Sequence, residues 1–196
     1  PRPAADTTVR VVVLTGAGNA FCAGGDVKRF AEASDSGPSA KTFGEEVHDV
    51  RSRMEVDGVL HEMPKPTLAV IPGAAAGAGL SLALACDLRI AVDNAKLTTA
   101  FSRIGLSGDF GGSYFMTYLV GAAMARELYF TGKVLSGSEA HKIGLVNRVV
   151  TADALPGAAK DYARELSALP TIALGYMKRN LNVAVRGVLS DVLDSE

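Results

Sequence analysis

The stretch Leu68-Ala-Val-Ile71-Pro72-Gly73-Ala-Ala-Ala-Gly77-Ala78-Gly79-Leu80-Ser81 decides the reading of this chain. Residues 68–71 form a short apolar run with β-branched members, the pattern of a buried strand. Pro72 and Gly73 end it, and the small residues that follow let another molecule approach the backbone closely. Residues 80–86 are mostly strong helix formers. The first N–H groups of a helix lack intrahelical partners and sit at the positive end of its dipole. A strand, a Gly/Ala turn and a buried helix in this order therefore present N–H donors to an anion or a developing oxyanion. Close helix–sheet packing is the other reading of the same residues, and this segment alone leaves both open.

The rest of the chain supplies the frame. Its 196 residues give one domain with ample length for a core. Hydrophobic residues make up 48% and the net charge is −1, which argues against disorder and against nucleic acid as a partner. Cys22 and Cys86 lie in apolar segments without metal-like or disulfide-framework spacing, so they read as core thiols of a reducing, cytoplasmic compartment. Residues 68–86 carry no charge until Asp87, but Pro72 and three glycines argue for a strand and a helix rather than a membrane span. Pro1 to Asp6 shows no apolar core, and no secretory signal is expected.

Strand patterns fall at residues 9–15, 68–71, 88–92, 96–99 and 146–150. Helical patterns fall at 27–33, 43–62, 80–86, 111–130, 138–143, 154–168 and 171–185, with a surface loop at 34–40. In the helix over 43–62, Val47, Val50, Met54 and Val59 are expected to point inward, and Pro64-Lys-Pro66 stops it. Strands alternating with helices define an α/β class.

Several motifs fail on their own terms. Gly16-Ala-Gly18 after a strand invites a dinucleotide-fold reading, but Phe21 stands where the third small residue is needed. Gly79-Leu-Ser81-Leu-Ala83 lacks the closing glycine of a nucleophile elbow, and His48, His61 and His141 all lie in helical surface patterns. Asp109, in Ile104-Gly-Leu-Ser-Gly-Asp109-Phe-Gly-Gly112, reads either as a helix N-cap or as a functional carboxylate. Asp26 reads as a cap for a helix at Val27, with a substrate-facing role as its other reading, and Asp87 as a partner of backbone or of Arg89.

In order along the chain stand Val12-Val-Leu-Thr-Gly-Ala-Gly18, Phe21-Cys-Ala-Gly-Gly-Asp26, Pro64-Lys-Pro66, Gly73-Ala-Ala-Ala-Gly-Ala-Gly79, Ala85-Cys-Asp87, Phe101-Ser-Arg-Ile-Gly-Leu106, Asp109 and Gly144-Leu-Val146. Together they resemble the enoyl-CoA hydratase/isomerase (crotonase) family over almost the whole chain. The resemblance implies an α/β, crotonase-like (ClpP/crotonase) spiral of repeated ββα units, here with shortened N- and C-terminal ends. Residues 1–196 then form a single domain, whose helical part at 151–196 serves oligomerisation and pocket closure.

The resemblance also implies a site. Two backbone N–H groups, those of Gly25 and Ala78, polarise an acyl-CoA thioester carbonyl and hold its enolate. Ala23, Asp26 and Val27 from the first glycine segment, with Gly77, Gly79, Phe101 and Ile104, line the substrate. The two glutamates that hydratases of the family use fall at Ser81 and Phe101, and neither residue is a carboxylate. Asp109 falls where single-carboxylate members carry their acid/base. The expected activity is therefore enoyl-CoA isomerase-type proton transfer by Asp109 in a pocket dried by Phe101. Water addition to a 2-enoyl-CoA and noncatalytic acyl-CoA binding are the alternatives. No metal and no separate cofactor are expected, coenzyme A arriving within the substrate. The implied assembly is a homotrimer or a dimer of trimers, with residues 111–121 near the contact and no membrane partner.

Overall fold

The computed structural model describes residues 4–25 and 41–196. The expected helix at 27–33 and loop at 34–40 lie outside these residues, as do Asp26 and Val27. In chain order the first elements are β1 (Val12–Thr15), α1 (Phe43–Arg53), α2 (Glu55–Glu62), β2 (Thr67–Ile71), β3 (Ala75–Ala76) and α3 (Ala78–Ala85). There follow β4 (Leu88–Val92), β5 (Lys96–Thr98), a 3-10 turn (Phe101–Ile104), α4 (Gly112–Thr131), β6 (Leu135–Ser136) and α5 (Gly137–Lys142). The chain continues with β7 (Arg148–Val150), α6 (Leu155–Ala168), α7 (Thr171–Arg186) and α8 (Leu189–Ser195).

One parallel sheet runs β1-β2-β4-β7, and a smaller sheet runs β3-β5-β6. The order β2–β3–α3 repeats as β4–β5–α4, each pass placing one strand in each sheet before a helix. Leu68, Ile71 and Ile90 are fully buried, as expected for continuous apolar strands covered on both faces. The two-residue strands β3 and β6 and the last helix α8 are too short for a periodic signal, and the sequence pattern does not reveal them.

The expected helix over 43–62 is broken at Met54 into α1 and α2. Its inward face also differs. Val47, Val50 and Val59 are exposed, and the side of α2 that turns inward carries Asp57 and Leu60, one helical turn apart. Valine spacing alone misjudges this face because the apolar side is left on the surface.

Candidate active site

The Gly/Ala turn after β2 is locked against the segment after β1. Cys22 N–H donates to Ala74 O (3.1 Å), and Ala76 N–H donates back to Cys22 O (3.0 Å). A Cβ at Gly79 would stand 2.1 Å from Cys22 O, so the two backbones leave no room for a side chain there. Gly24 has φ +91°, and a Cβ on it would lie 2.8 Å from Ala76 O and 3.7 Å from Ala78 N. The segment holding Ala23, Gly24 and Gly25 thus runs beside the start of α3. Gly77 N–H is taken by Thr98 O (3.1 Å). Ala78 is the first residue of α3, so its N–H has no acceptor inside the helix. Its φ is not positive, which lets it carry a Cβ where a third glycine could have stood.

Asp109 lies on a loop in unusual backbone conformation. Gly108 (φ 123°), Phe110 (φ 49°) and Gly111 (φ 64°) surround it, and Phe110 is a bulky residue in the left-handed region. The capping expectation is not met: Gly111 caps α4 and no side chain bonds there, while Asp109 contributes only its carbonyl to Gly112 N–H (3.1 Å). Its carboxylate is half-buried, with Oδ1 shielded from solvent and without a hydrogen-bond partner. Burial pushes its pKa above the usual carboxylate range.

The helix that follows the loop, α4, starts against the first turn of α3. A Cβ at Gly112 would meet Ser81 Oγ at 2.2 Å and the Tyr129 hydroxyl at 2.6 Å. Ser81 is buried and donates to Gly77 O (3.3 Å), a small helix residue at a tight contact as its neighbours suggest. Phe101 is buried, stacks on Tyr129 (5.9 Å between centroids) and lies 3.6 Å from where a Gly77 Cβ would stand. Burial, then the Asp109 charge, push the Tyr129 phenol up to about 12. Ile104, by contrast, is an exposed residue at the end of the 3-10 turn. The structure therefore gathers Ala23, Gly25, Gly77, Ala78, Gly79, Phe101 and the Asp109 loop around the start of α3, and leaves Ile104 on the rim.

The sequence reading passes over Asp57. It is 3% exposed, and neither carboxylate oxygen has a hydrogen-bond partner. It lines a cleft of about 540 Å³ together with Met54, Val59, Gly111 and Phe115. Burial and then the charge of Asp109 push its pKa up to about 7. An acidic residue in a first helical turn is ordinary, and only the inward phase of α2 marks this one.

Asp87 is the opposite case. It accepts from Thr67 N–H (2.8 Å), Thr67 Oγ1 (2.9 Å) and Lys178 Nζ (2.9 Å). Arg89 bonds backbone carbonyls instead, at Cys86, Leu145 and Asp87. His61 is half-buried and packs edge-on against Phe115, whereas His48 and His141 are exposed. Among the described residues no group of three or more His, Cys, Asp or Glu could hold a metal ion, and no helix is long and apolar enough to cross a membrane.

Repeated β–β–α units that place one strand in each of two sheets, with a glycine-lined helix start, fit the crotonase fold. The chain belongs to the enoyl-CoA hydratase/isomerase family, whose sequence model matches residues 3–196. It is 37% identical over 192 residues to 1,2-epoxyphenylacetyl-CoA isomerase of Escherichia coli K12, covering 97% of this chain and 71% of that protein. It is 34% identical to a short-chain-enoyl-CoA hydratase of Clostridium acetobutylicum, covering 95% and 68%. A 4-chlorobenzoyl coenzyme A dehalogenase of Arthrobacter is 32% identical, covering 97% and 68%. The fold superposes on the crystal structure of an enoyl-CoA hydratase from Polaromonas with a TM-score of 0.87, at 35% identity over 99% of this chain and 72% of that one.

Proposed function

We propose that this protein isomerises an unsaturated acyl-CoA by proton transfer, with Asp109 as the acid/base. The observation that carries the reading is the Asp109 carboxylate itself: it is half-buried with an orphaned oxygen, it caps no helix, and the helix that follows it starts against the first turn of α3. In a 3-enoyl ester the ionised carboxylate takes a proton from the carbon next to the thioester carbonyl. The C–H electron pair moves into a dienolate, and an oxygen–hydrogen bond forms on the carboxyl. The N–H groups of Gly25 and Ala78 hold the enolate oxygen. Return of a proton to the γ carbon gives the 2-enoyl ester. Phe101 dries the pocket, which keeps the base strong and water away from the alkene.

Coenzyme A enters as part of the substrate, with no separate cofactor. The two free thiols, Cys22 half-buried and Cys86 buried, suit a reducing cytoplasmic setting. A homotrimer, singly or as a pair of trimers, is the proposed assembly. The exposed apolar residues Ile172, Tyr176 and Leu181 of α7 give it a surface to bury.

A second reading, water addition, is favoured by Asp57, because hydration calls for two carboxylates and a second one lines the cleft. Incubation of a 3-enoyl-CoA and, separately, a 2-enoyl-CoA in deuterated water separates the two. Alkene migration or deuterium exchange without added water mass supports the isomerase. Gain of a water unit by the 2-enoyl ester replaces it with a hydratase.

A further inference from the structure

Asp57 is a carboxylate that the fold leaves without any use for its charge. Buried aspartates are ordinarily hydrogen-bonded or paired, yet both oxygens of Asp57 lack partners while its residue is 3% exposed. It does not cap α2: the N-cap position, Met54, receives no side-chain bond. The cleft it lines also contains Gly111 and Phe115, which begin where the Asp109 loop ends. Gly111 stands two residues beyond Asp109, so the cleft that Asp57 lines borders the Asp109 loop.

We propose that Asp57 is a second catalytic proton carrier of this site, delivering to the γ carbon the proton that completes the shift Asp109 begins at the α carbon. This rests on the isomerase reading above. The step balances between the two groups. Ionised Asp109 gains the α proton as the C–H bond breaks. Protonated Asp57 loses its proton as the new C–H bond forms at the γ carbon, and the second carboxylate ends ionised. Proton exchange with solvent through the cleft resets the pair.

The protonation of Asp57 fits its role. Burial, and then the Asp109 charge, keep its carboxyl protonated up to about pH 7. The other charged groups around Asp57 are Arg51 of α1 and Glu55 and Glu62 of its own helix, all exposed. From α7, Lys178 is held by Asp87 and by the Leu60 and Lys65 carbonyls, while Arg186 lies toward Glu62. The packed turns of α3 bring no ionisable group except Cys86 at its end, whose thiol burial pushes up to about 12.

The test follows a 3-enoyl-CoA in deuterated water with the wild-type protein, Asp57→Asn and Asp109→Asn, scoring deuterium in recovered substrate separately from alkene migration. Asp57→Asn is expected to keep exchange at the α carbon while migration falls about 100-fold or more; Asp109→Asn is expected to lose both. Migration at the wild-type rate in Asp57→Asn overturns the proposal, and so does loss of exchange and migration together, which marks Asp57 as acting only through the fold. A second measurement needs no variant: wild-type migration should fall above about pH 7 while exchange persists, and a migration rate flat from about pH 6 to 9 overturns the assignment. Wild-type protein that neither exchanges nor migrates the ester fails the isomerase reading itself, an outcome distinct from any confined to Asp57→Asn.

Discussion

Asp87 and Asp57 are both withdrawn from solvent, and the fold treats them in opposite ways. Asp87 is saturated: the backbone and hydroxyl of Thr67 and the ammonium of Lys178 all donate to it. The same lysine also donates to the Leu60 and Lys65 carbonyls, tying α7 to the end of α2 and the start of β2. Asp57 has no partner and faces a cleft. A satisfied buried charge holds elements together, whereas an unsatisfied one costs stability and has a proton affinity far from ordinary. Asp109, half-buried with an orphaned oxygen on a strained loop, belongs with Asp57. The contrast separates the carboxylate that builds the fold from two that the fold leaves unsatisfied.

The strongest way to break this comparison is to neutralise the site carboxylate. Asp109→Asn should lower turnover of a 3-enoyl-CoA by roughly 10²–10⁴-fold while acyl-CoA binding, measured by calorimetry, persists; full activity would remove Asp109 from the chemistry. Lys178→Met should instead act on stability, because it strands the Asp87 charge. A loss of about 3–5 kcal/mol in urea unfolding is expected, and a loss under about 1 kcal/mol would show that the pair is not structural.

Ala78→Pro sharpens the reading of the helix start. Proline is accepted at the first position of a helix, so the change deletes the N–H with little cost to α3. A fall in turnover of roughly 10²–10³-fold is expected. Unchanged turnover in the folded variant would place the second donor elsewhere.

Asp57→Asn should move stability in the direction opposite to Lys178→Met. The folded-state pKa of Asp57 is raised from 3.8 to about 7, so folding favours its protonated form. That contribution is complete below about pH 4 and is lost as pH rises to about 7. The variant should therefore gain on the wild type between pH 4 and 8, by no more than roughly 4 kcal/mol at 1.36 kcal/mol per pH unit. Equal urea midpoints at both pH values would show that Asp57 is not desolvated. The smallest effect is expected at Ala100, which holds φ 58° just before Phe101. Ala100→Gly should stabilise by about 1 kcal/mol, read from the shift in denaturant midpoint.

Much of this site is legible in the chain. Gly24, Gly77 and Gly79 announce close backbone approach, and the structure shows what approaches: Ala76 O, the Phe101 ring and Cys22 O. Asp109 stands out because an acidic residue in a glycine-rich apolar stretch has few uses. What the chain does not reveal is that Asp109 leaves the cap to Gly111, since a cap and a site carboxylate read alike before α4 is oriented. Asp57 is hidden for a related reason. Counting valines over 43–62 gives one apolar face, but the break at Met54 resets the phase and turns Asp57 and Leu60 inward.

The sequence by itself determined the alternation of strand and helix, the buried strands at Leu68–Ile71 and Leu88–Val92, and a helix opening out of the Gly/Ala turn, which the structure starts at Ala78 rather than Leu80. These are local matters, governed by side-chain period, turn chemistry and unsatisfied N–H groups. Only the tertiary structure decided which carboxylates are paired. Asp87 meets Lys178 across 91 residues of chain, and Asp57 shares a cleft with Gly111 across about fifty. Proton affinity depends on burial and on the charges nearby. Neither is written in the order of the residues until the chain has packed.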